Sequence, residues 1–376
     1  MNSGLLYILF GAAVLSLLLR VFFTLFVFLR AGKTRKFKQV DSVYPPVSVI
    51  IAARNEAENL IQFLPKILTQ NYHDFEVIVV DDCSVDNSRE ILAEMQKSYS
   101  NLKLSWVPEN AVQRRGKKLA LSIGIKAAEH EWLLFTDADC YPGSKDWIQT
   151  MATYMQDDND FVLGYGAYRY EKSFLNSLIR LDTLKIAMRY GGYASLGQIY
   201  MGVGRNLAYR KSLWIENRGF AGFYHMASGD DDLFVNAYAK KKRTAICFNA
   251  KGKTESVPAK NFSEWKNQKS RHMSTSRYYA PFLRFSLLLE PVNQVISPLL
   301  VGLSAFLFWG NVFAYALLGV WGLVKLTELL VFRCKALILK EKALVGKSVL
   351  FDVFLPLIYI IFAFSRIKNS KTKAWK

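Results

Sequence analysis

The stretch Trp132 to Cys140, with the sequence WLLFTDADC, limits the possible folds of this chain more than any other. Four apolar residues, typical of a strand buried on both faces, lead directly into carboxylates at positions i and i+2, Asp137 and Asp139. Ligands of open α/β sheets bind at the carboxyl ends of the strands. Mg²⁺ or Mn²⁺ is commonly held there by one or two carboxylates while substrate phosphates complete the shell. The stretch therefore predicts a metal site, the alternative being a surface turn with two solvated acids.

Strands and helices alternate around this stretch. We predict strands over 47–52, 75–80, 102–107 and at Trp132. The predicted helices are one that ends near Gln70, one over 86–98 and one over 117–129. Beyond residue 148 the pattern is mixed, with a strand over 161–170, helices over 174–190 and 233–240, and a glycine-rich turn at 202–206. Such alternation predicts an α/β fold with a mostly parallel sheet and right-handed crossovers.

An apolar segment precedes the α/β region. Leu5 to Leu29 carries only Arg20 as a charge and is long enough to cross a bilayer about 30 Å thick. No cleavage site accompanies it, so we predict an uncleaved anchor. Basic residues follow it directly, namely Arg30, Lys33, Arg35, Lys36 and Lys38. The positive-inside rule then places the next domain in the cytoplasm. Arg20 is costly within a span, so it either snorkels or faces a partner helix.

The C-terminal part is again apolar. We predict an interfacial helix over 281–291 and two spans near 292–310 and 312–332. A further run at 349–365 contains Asp352 and Pro356, and a basic tail follows it. A re-entrant segment, an interfacial segment or a fourth span would each fit, and we favour the fourth span. The predicted domains are an anchor at 1–31, a cytoplasmic domain at 46–280 and a membrane part at 281–376, in a multi-pass protein of a bacterial inner or plasma membrane.

The net charge of +18 on 376 residues would by itself permit nucleic acid as the binding partner. Beside apolar spans, however, positive charge indicates cytoplasmic flanks at an anionic lipid surface. The four cysteines show no metal-ligand spacing, which suggests a reducing compartment.

Further charged clusters come at the ends of predicted elements. Asp81 and Asp82 end the second strand, Lys117 begins a helix, and Asp230 to Asp232 begin another. Lys117 could be a solvated residue, and acids at a helix start could be only N-caps and dipole partners. Three consecutive acids exceed what capping needs.

In order and context, these clusters resemble the family 2 inverting glycosyltransferases of the GT-A fold. The resemblance rests on Val47 to Glu56, Val79 to Ser84, Gly116 to Ala120, Thr136 to Asp139, Gly229 to Asp231 and Gln268 to Arg271.

The resemblance implies a role for each of several residues. Asp137 and Asp139 would hold Mg²⁺ or Mn²⁺, Asp231 beside Asp230 would be the general base, and Arg271 would add positive charge at the departing phosphate. Asp81 and Asp82 suit the nucleoside because a carboxylate can accept the ring N–H of uracil. The expected nucleotide-sugar contacts are Ala53, Asn55, Glu56, Asp81, Asp82, Lys117, Asp137 and Gln268, and those on the acceptor side are Arg205, Asn206 and His272.

One position departs from the pattern of processive members, which have tryptophan where this chain has His272. Without that aromatic, the resemblance favours the ceramide glucosyltransferase-like, lipid-glycosylating members. We therefore expect a membrane-bound enzyme that moves a sugar from a nucleotide-sugar to a lipid-linked or short glycan acceptor. The expected nucleotide-sugar is a UDP-sugar. We expect neither nucleic acid nor an obligate protein as a partner. The alternatives are a processive polysaccharide synthase and, more remotely, a basic membrane-tethered protein that binds nucleic acid or lipid.

Overall fold

The computed structural model describes residues 3–33, 44–108, 116–226 and 228–368. These residues form two compact units. The helical unit comprises the described parts of 1–31, 172–192 and 261–370, and the sheet unit comprises those of 32–171 and 193–260. The basic residues Arg35, Lys36 and Lys38 and the end of the basic tail lie outside the described residues.

The elements are named here in chain order. The first are α1 (Ser3–Phe22), β1 (Val47–Ala53), α2 (Ala57–Leu68), β2 (Phe75–Asp81), α3 (Ser88–Ser98), β3 (Leu102–Trp106), α4 (Lys117–Ala127) and β4 (Trp132–Phe135). Next come β5 (Cys140–Pro142), α5 (Trp147–Ala152), β6 (Phe161–Gly164), β7 (Gly166–Tyr168), α6 (Phe174–Leu196), β8 (Leu207–Arg210), α7 (Lys211–Glu216), α8 (Asp232–Tyr238), β9 (Thr244–Cys247) and β10 (Thr254–Ser256). The last are α9 (Phe262–His272), α10 (Pro281–Leu307), α11 (Val312–Ile338) and α12 (Val345–Lys368).

The sheet unit is built on a seven-stranded sheet with the order β3-β2-β1-β4-β8-β6-β9. Strands β1 to β4 are parallel, β8 is antiparallel to both β4 and β6, and β9 is parallel to β6. Every residue of β1 and β4 is buried, as their continuous apolar sequences predict. The predicted α/β fold with a mostly parallel sheet is confirmed, and the carboxyl ends of β1, β2 and β4 share one edge.

Helix α4 packs closely on this sheet. A Cβ at Gly124 would lie 2.9 Å from Ile50 Cγ2 and 3.0 Å from Val80 Cγ2, so only glycine lets the helix approach β1 and β2 this closely. The packing fixes the first turn of α4, which carries Lys117 and Lys118, at the carboxyl edge of the sheet.

The single strand predicted over 161–170 is two strands in the structure. β6 belongs to the seven-stranded sheet, whereas β7 joins a three-stranded sheet with the order β5-β10-β7. Glycines flank the switch because a Cβ at Gly164 would lie 2.5 Å from the Asn206 side chain and one at Gly166 would lie 2.4 Å from that of Arg205.

The helical unit contains three helical segments long and apolar enough to cross a membrane, Gly4–Phe28, Pro281–Leu307 and Val312–Ile338. Helix α10 is continuous where an interfacial helix and a separate span were predicted, because Pro291 and Pro298 are accommodated inside it. Helix α11 extends beyond the predicted 312–332. Within the described residues, α12 is not among the helices of this length and apolarity, although its range contains the predicted segment 349–365.

Arg20 of the helical unit is buried against other helices. Its Nε lies 2.7 Å from Glu328 Oε1, and its Nη2 lies 2.8 Å from Asp352 Oδ2. Asp352 also pairs with Lys325 and, at 2.9 Å, with Lys185 of α6. Of the two predicted environments for Arg20, the structure has the partner helices, as expected for a charge within an apolar helix.

Candidate active site

The turn after β4 brings potential metal ligands together. The ligand atoms of Asp137, Asp139 and Cys140 all lie within 4.8 Å of one another. Burial, together with the neighbouring charge of Asp137, raises the pKa of Asp139. Burial also raises the pKa of Cys140 well above its usual value, so the group is a thiol whose Sγ donates to Asp139 Oδ1 at 3.2 Å. Two carboxylates as the ionised donors fit a hard cation such as Mg²⁺ or Mn²⁺.

Lys117 connects this turn to the acids that precede α8. Its Nζ lies 2.7 Å from Asp137 Oδ1 and 3.4 Å from Asp230 Oδ2. Burial alone would lower the pKa of Lys117, but the carboxylates of Asp137, Asp230 and Asp231 raise it, so the side chain is a cation. Lys117 thus places a positive charge between Asp137 and the acids that precede α8.

Asp231 is the N-cap of α8 and is held from two sides. Its Oδ1 accepts from the Asp232 amide and its Oδ2 from the Gly204 amide, both at 2.7 Å. The pKa of Asp231 is raised by burial and by the charge of Asp230. For Asp230, burial would raise the pKa, but Lys117 and Lys118 lower it. Adjacent carboxyls with opposite pKa shifts are typical of an acid–base site.

One cavity of the sheet unit has these groups in its wall. Its polar lining includes Lys117, Asp137, Asp230 and Asp231, and Gly204 closes one side. Asp137 of the acidic turn, the Lys117 cation and a carboxyl with a raised pKa therefore face the same small space.

The family model described as Glycosyl transferase family 2 matches residues 48–217. The matched range runs from the second residue of β1 past β8, and includes the turn with Asp137 and Asp139 and the cavity residues Lys117 and Gly204. Residues 48–217 are thus similar to the family 2 glycosyltransferases.

Curated relatives also match parts of the chain. The poly(ribitol-phosphate) beta-glucosyltransferase of Bacillus spizizenii is 26% identical over 203 residues, which are 53% of this chain and 30% of that protein. Glycosyltransferase AglE of Haloferax volcanii is 36% identical over 112 residues, 29% of this chain and 35% of that protein. The chain thus matches about a third of the length of each of these relatives.

A solved structure shares the fold. The mannosyltransferase PcManGT of Pyrobaculum calidifontis, determined in complex with GDP-Man and Mn²⁺, superposes with a TM-score of 0.56 at 19% identity. The alignment covers 92% of this chain and 99% of that one. This likeness shows a GT-A-like fold.

In the sheet unit, the loops after β1 and β2 are hydrogen-bonded to each other. Asn55 has a left-handed backbone (φ 55°), donates its amide to Ser84 Oγ at 2.9 Å, and accepts from the Val85 amide at 2.8 Å. Asp81 accepts from Arg89 Nε at 2.9 Å. The buried Asp82 has Arg54 Nη1 at 3.9 Å. Asn55, Asp81 and Asp82 thus lie at the carboxyl ends of β1 and β2, and their contact with the nucleoside stays a prediction.

Ala53 and Glu56 lie at the end of β1. Ala53 is fully buried and pairs with Asp81 in the sheet. Glu56 accepts from Asn59 Nδ2 at 2.5 Å. Burial, and then the charges of Asp139, Asp137 and Asp86, raise the pKa of Glu56 to about 7 despite the bond from Asn59. Glu56 is therefore within electrostatic reach of the predicted metal ligands and titrates near neutral pH.

The two residues of the sheet unit expected on the acceptor side have different environments. Arg205 donates to the Gly166 carbonyl from Nε at 3.1 Å and Nη2 at 2.8 Å, and its guanidinium lies 4.6 Å from the centre of the Tyr168 ring. Asn206 is fully buried; it accepts from Trp147 Nε1 at 3.1 Å and donates to the Tyr165 and Gly252 carbonyls. These internal bonds give Asn206 a structural role instead of the expected acceptor contact.

The last motif residues lie in the other unit. Gln268, Arg271 and His272 are on α9, which belongs to the helical unit together with Lys269, the ion-pair partner of Asp182. The predicted domain 46–280 therefore coincides with neither unit, because 172–192 and 261–280 group with the long helices.

Lys118 is not among the site residues predicted from the sequence. This lysine of α4 is buried, and its Nζ donates to the carbonyls of Met226 and Ser228 at 2.6 and 2.7 Å. The only signal in the sequence is a second lysine at the start of an apolar helix, and such a lysine is normally solvated.

Proposed function

We propose that this protein is a membrane-bound inverting glycosyltransferase that moves a sugar from a UDP-sugar to a lipid-linked or short glycan acceptor. The observation that carries the proposal is the cavity in which Asp231, with its raised pKa, faces Lys117 and Asp137. A nucleic-acid-binding site would instead present lysines and arginines without a cluster of carboxylates.

The donor is bound at the carboxyl edge of the sheet. Asp137 and Asp139 would hold Mg²⁺ or Mn²⁺, which supplies Lewis-acid neutralisation of the nucleoside diphosphate. Lys117 contributes a second positive charge next to Asp137. Asp81 retains acceptor capacity beside its bond from Arg89, because a carboxylate has about four lone-pair sites, and it accepts the ring N–H of uracil.

Asp231 acts as the general base. Its two backbone bonds fix the carboxylate and leave lone pairs for the acceptor hydroxyl. The acceptor oxygen gives its proton to Asp231 and bonds to the anomeric carbon, while the bond from that carbon to the diphosphate oxygen breaks on the opposite face. The configuration therefore inverts. Asp230, with its lowered pKa and its pairing to Lys117, remains ionised and keeps the pKa of Asp231 raised.

The acceptor is proposed to be a lipid because of the helical unit. Its three apolar segments are long enough to cross a membrane, and α9, with Arg271 and His272, precedes α10 by a short connection in the chain. A histidine offers less stacking area than tryptophan and has a polar ring that can donate hydrogen bonds, which suits a phosphate or polar headgroup better than a sliding sugar chain. One or very few sugars are therefore added per acceptor, as in lipid-glycosylating members of the family.

The test uses the full chain purified in detergent or nanodiscs with Mn²⁺ and a panel of UDP- and GDP-sugars. Hydrolysis of one UDP-sugar, and its transfer to a polyprenyl-phosphate or glycolipid acceptor with a single mass increment, would support the proposal. Long product ladders in mass spectrometry would favour the polysaccharide synthase instead. Absence of turnover with every donor, together with RNA binding, would exclude the enzyme.

A further inference from the structure

Lys118 is unusual because its ammonium group is buried and donates hydrogen bonds to backbone carbonyls. Only 5% of the residue is exposed, and its Nζ lies 2.6 Å from the Met226 carbonyl oxygen and 2.7 Å from that of Ser228. Both carbonyls come just before Gly229, which leads into Asp230 and Asp231. A lysine of α4 thus holds the chain at the point where the acids of the cavity begin.

The backbone after these carbonyls has little freedom. Gly229 has a left-handed φ of 102°, and a Cβ there would lie 2.6 Å from Leu233 Cδ1. Asp231 then caps α8 and accepts from the Gly204 amide. A shift of the chain at Ser228 would accordingly move the Asp231 carboxylate relative to Gly204.

We propose that Lys118 is a positioning residue for the general base: its ammonium group holds the Met226 and Ser228 carbonyls so that Asp230 and Asp231 enter the cavity in the orientation needed for proton transfer. This inference rests on the proposed function, in which Asp231 is the base.

The two adjacent lysines of α4 then have separate tasks. Lys117 pairs with the carboxylates of Asp137 and Asp230, whereas Lys118 bonds to main-chain oxygens. A charged donor makes stronger bonds to carbonyls than a neutral one, and it also places positive charge near three consecutive acids. An apolar side chain of similar length would fill the same space but leave both carbonyls without this donor.

Lys211 provides a matched control at the other end of the same helix. Its Nζ donates to the Ala128 carbonyl at 2.5 Å, just beyond the last residue of α4. Lys211→Met therefore removes an ammonium–carbonyl bond of the same kind without touching the cavity lining.

The experiment compares Lys118→Met, Lys118→Arg and Lys211→Met with the wild type, all as full chains in detergent. We expect Lys118→Met to lower kcat for transfer about 10- to 100-fold, the range of a misplaced catalytic group, with donor KM within about threefold and little change in Tm. Lys118→Arg, which keeps charge and donors, should restore part of kcat. Lys211→Met should retain the wild-type kcat.

A second readout does not depend on turnover. The Gly204 amide bonds to Asp231 Oδ2, so its hydrogen exchange, resolved by mass spectrometry with electron-transfer fragmentation, reports the position of Asp231. We expect faster exchange at Gly204 in Lys118→Met and unchanged exchange in Lys211→Met. If Lys118→Met does not fold, Lys118→Gln replaces it under the same criteria.

The outcomes separate the two proposals. Unchanged kcat and unchanged Gly204 exchange in Lys118→Met would overturn the positioning role. A loss of kcat accompanied by weaker donor binding and a lower Tm would also overturn it, because these changes together indicate a structural role alone. Failure of the proposed function would appear in the wild type as absence of sugar transfer, and the exchange measurement would still test the contact between Lys118 and the backbone before Asp230.

Discussion

Lys117 Nζ lies 2.7 Å from Asp137 Oδ1 and joins the first turn of α4 to the carboxyl end of β4. A residue that begins a helix and a residue that follows a strand thus share one ion pair at the predicted donor site. The same ammonium group is 3.4 Å from Asp230, so donor-side and base-side acids are linked through a single cation.

This link predicts the effect of Lys117→Met. The change should weaken UDP binding in the presence of Mn²⁺ by about 10-fold or more, because a charged contact to the diphosphate is lost and the acids around it are left without their counter-charge. Isothermal titration calorimetry measures the affinity. Lys126→Met, at the exposed end of the same helix, is the control and should bind UDP normally. Equal affinity in both variants would remove Lys117 from the donor site.

Asp139→Asn should abolish metal-dependent donor binding and reduce turnover by at least about 100-fold, since one of two ionised oxygen ligands becomes a neutral amide. Mn²⁺ binding followed by electron paramagnetic resonance tests the ligand directly. The fold should persist in circular dichroism. Asp157→Asn, at an exposed position, serves as the control. Ordinary metal affinity in Asp139→Asn would mean that the metal is bound elsewhere.

Asp231→Asn should lower transfer by about 100- to 10,000-fold while donor affinity stays near that of the wild type, because the base is needed only in the transition state. The raised pKa of Asp231 also predicts how kcat changes with pH. The base must be deprotonated, so kcat falls as pH falls through this pKa, and the fall begins at a higher pH than an ordinary aspartate with a pKa of about 3.9 would give. A pH–rate profile of the wild type measures it. A large loss of donor affinity in Asp231→Asn would instead assign this residue to the nucleotide site.

Glu56 should lose a proton when the metal binds. Its pKa of about 7 is raised by burial and by the charges of Asp139 and Asp137, and a cation on those carboxylates would lower it. Mn²⁺ binding at pH 7 should therefore release protons, measurable by calorimetry in buffers of different ionisation enthalpy. Glu56→Gln should release fewer protons. Release of the same number of protons by both proteins would show that metal binding does not change the pKa of Glu56.

Asp352→Asn should destabilise the helical unit. Three cations, Arg20, Lys185 and Lys325, share this carboxylate. Removing one partner from a buried pair costs roughly 3–5 kcal/mol. Thermal unfolding in detergent should show a lower Tm for Asp352→Asn. Glu94→Gln, which breaks an exposed pair with Lys97 worth about 0–1 kcal/mol, should leave Tm nearly unchanged. Equal Tm values for the two variants would contradict the buried network.

Local sequence patterns were sufficient to predict the first half of the sheet. β1, β2 and β4 are recognisable because each is a short apolar run buried on both faces, and Asp81 and Asp137 follow from the position at which such a run ends. Parallel strands align their carboxyl ends, so the proximity of these loops could also be predicted.

Contacts between distant parts of the chain could not be predicted in this way. Asn206 follows two glycines and looks like a loop residue, but its amide is used by Trp147, Tyr165 and Gly252 in the core. Helix α6 reads as an ordinary charged helix, and only the structure shows Arg180, Lys185 and Arg189 paired with acids more than 100 residues later. Lys118 is similar, since its partners are main-chain carbonyls 108 and 110 residues away and leave no trace in the sequence.

The pairing of Arg20 also bears on how the chain is made. Its partners Glu328 and Asp352 are 308 and 332 residues further along, so a ribosome working at about 5–20 residues per second needs on the order of tens of seconds between them. During that interval α1 carries an arginine without its carboxylates. Assembly of the helical unit is therefore completed only after Asp352 has been translated, and a chain that ended before Glu328 would leave the first helix with an unneutralised charge.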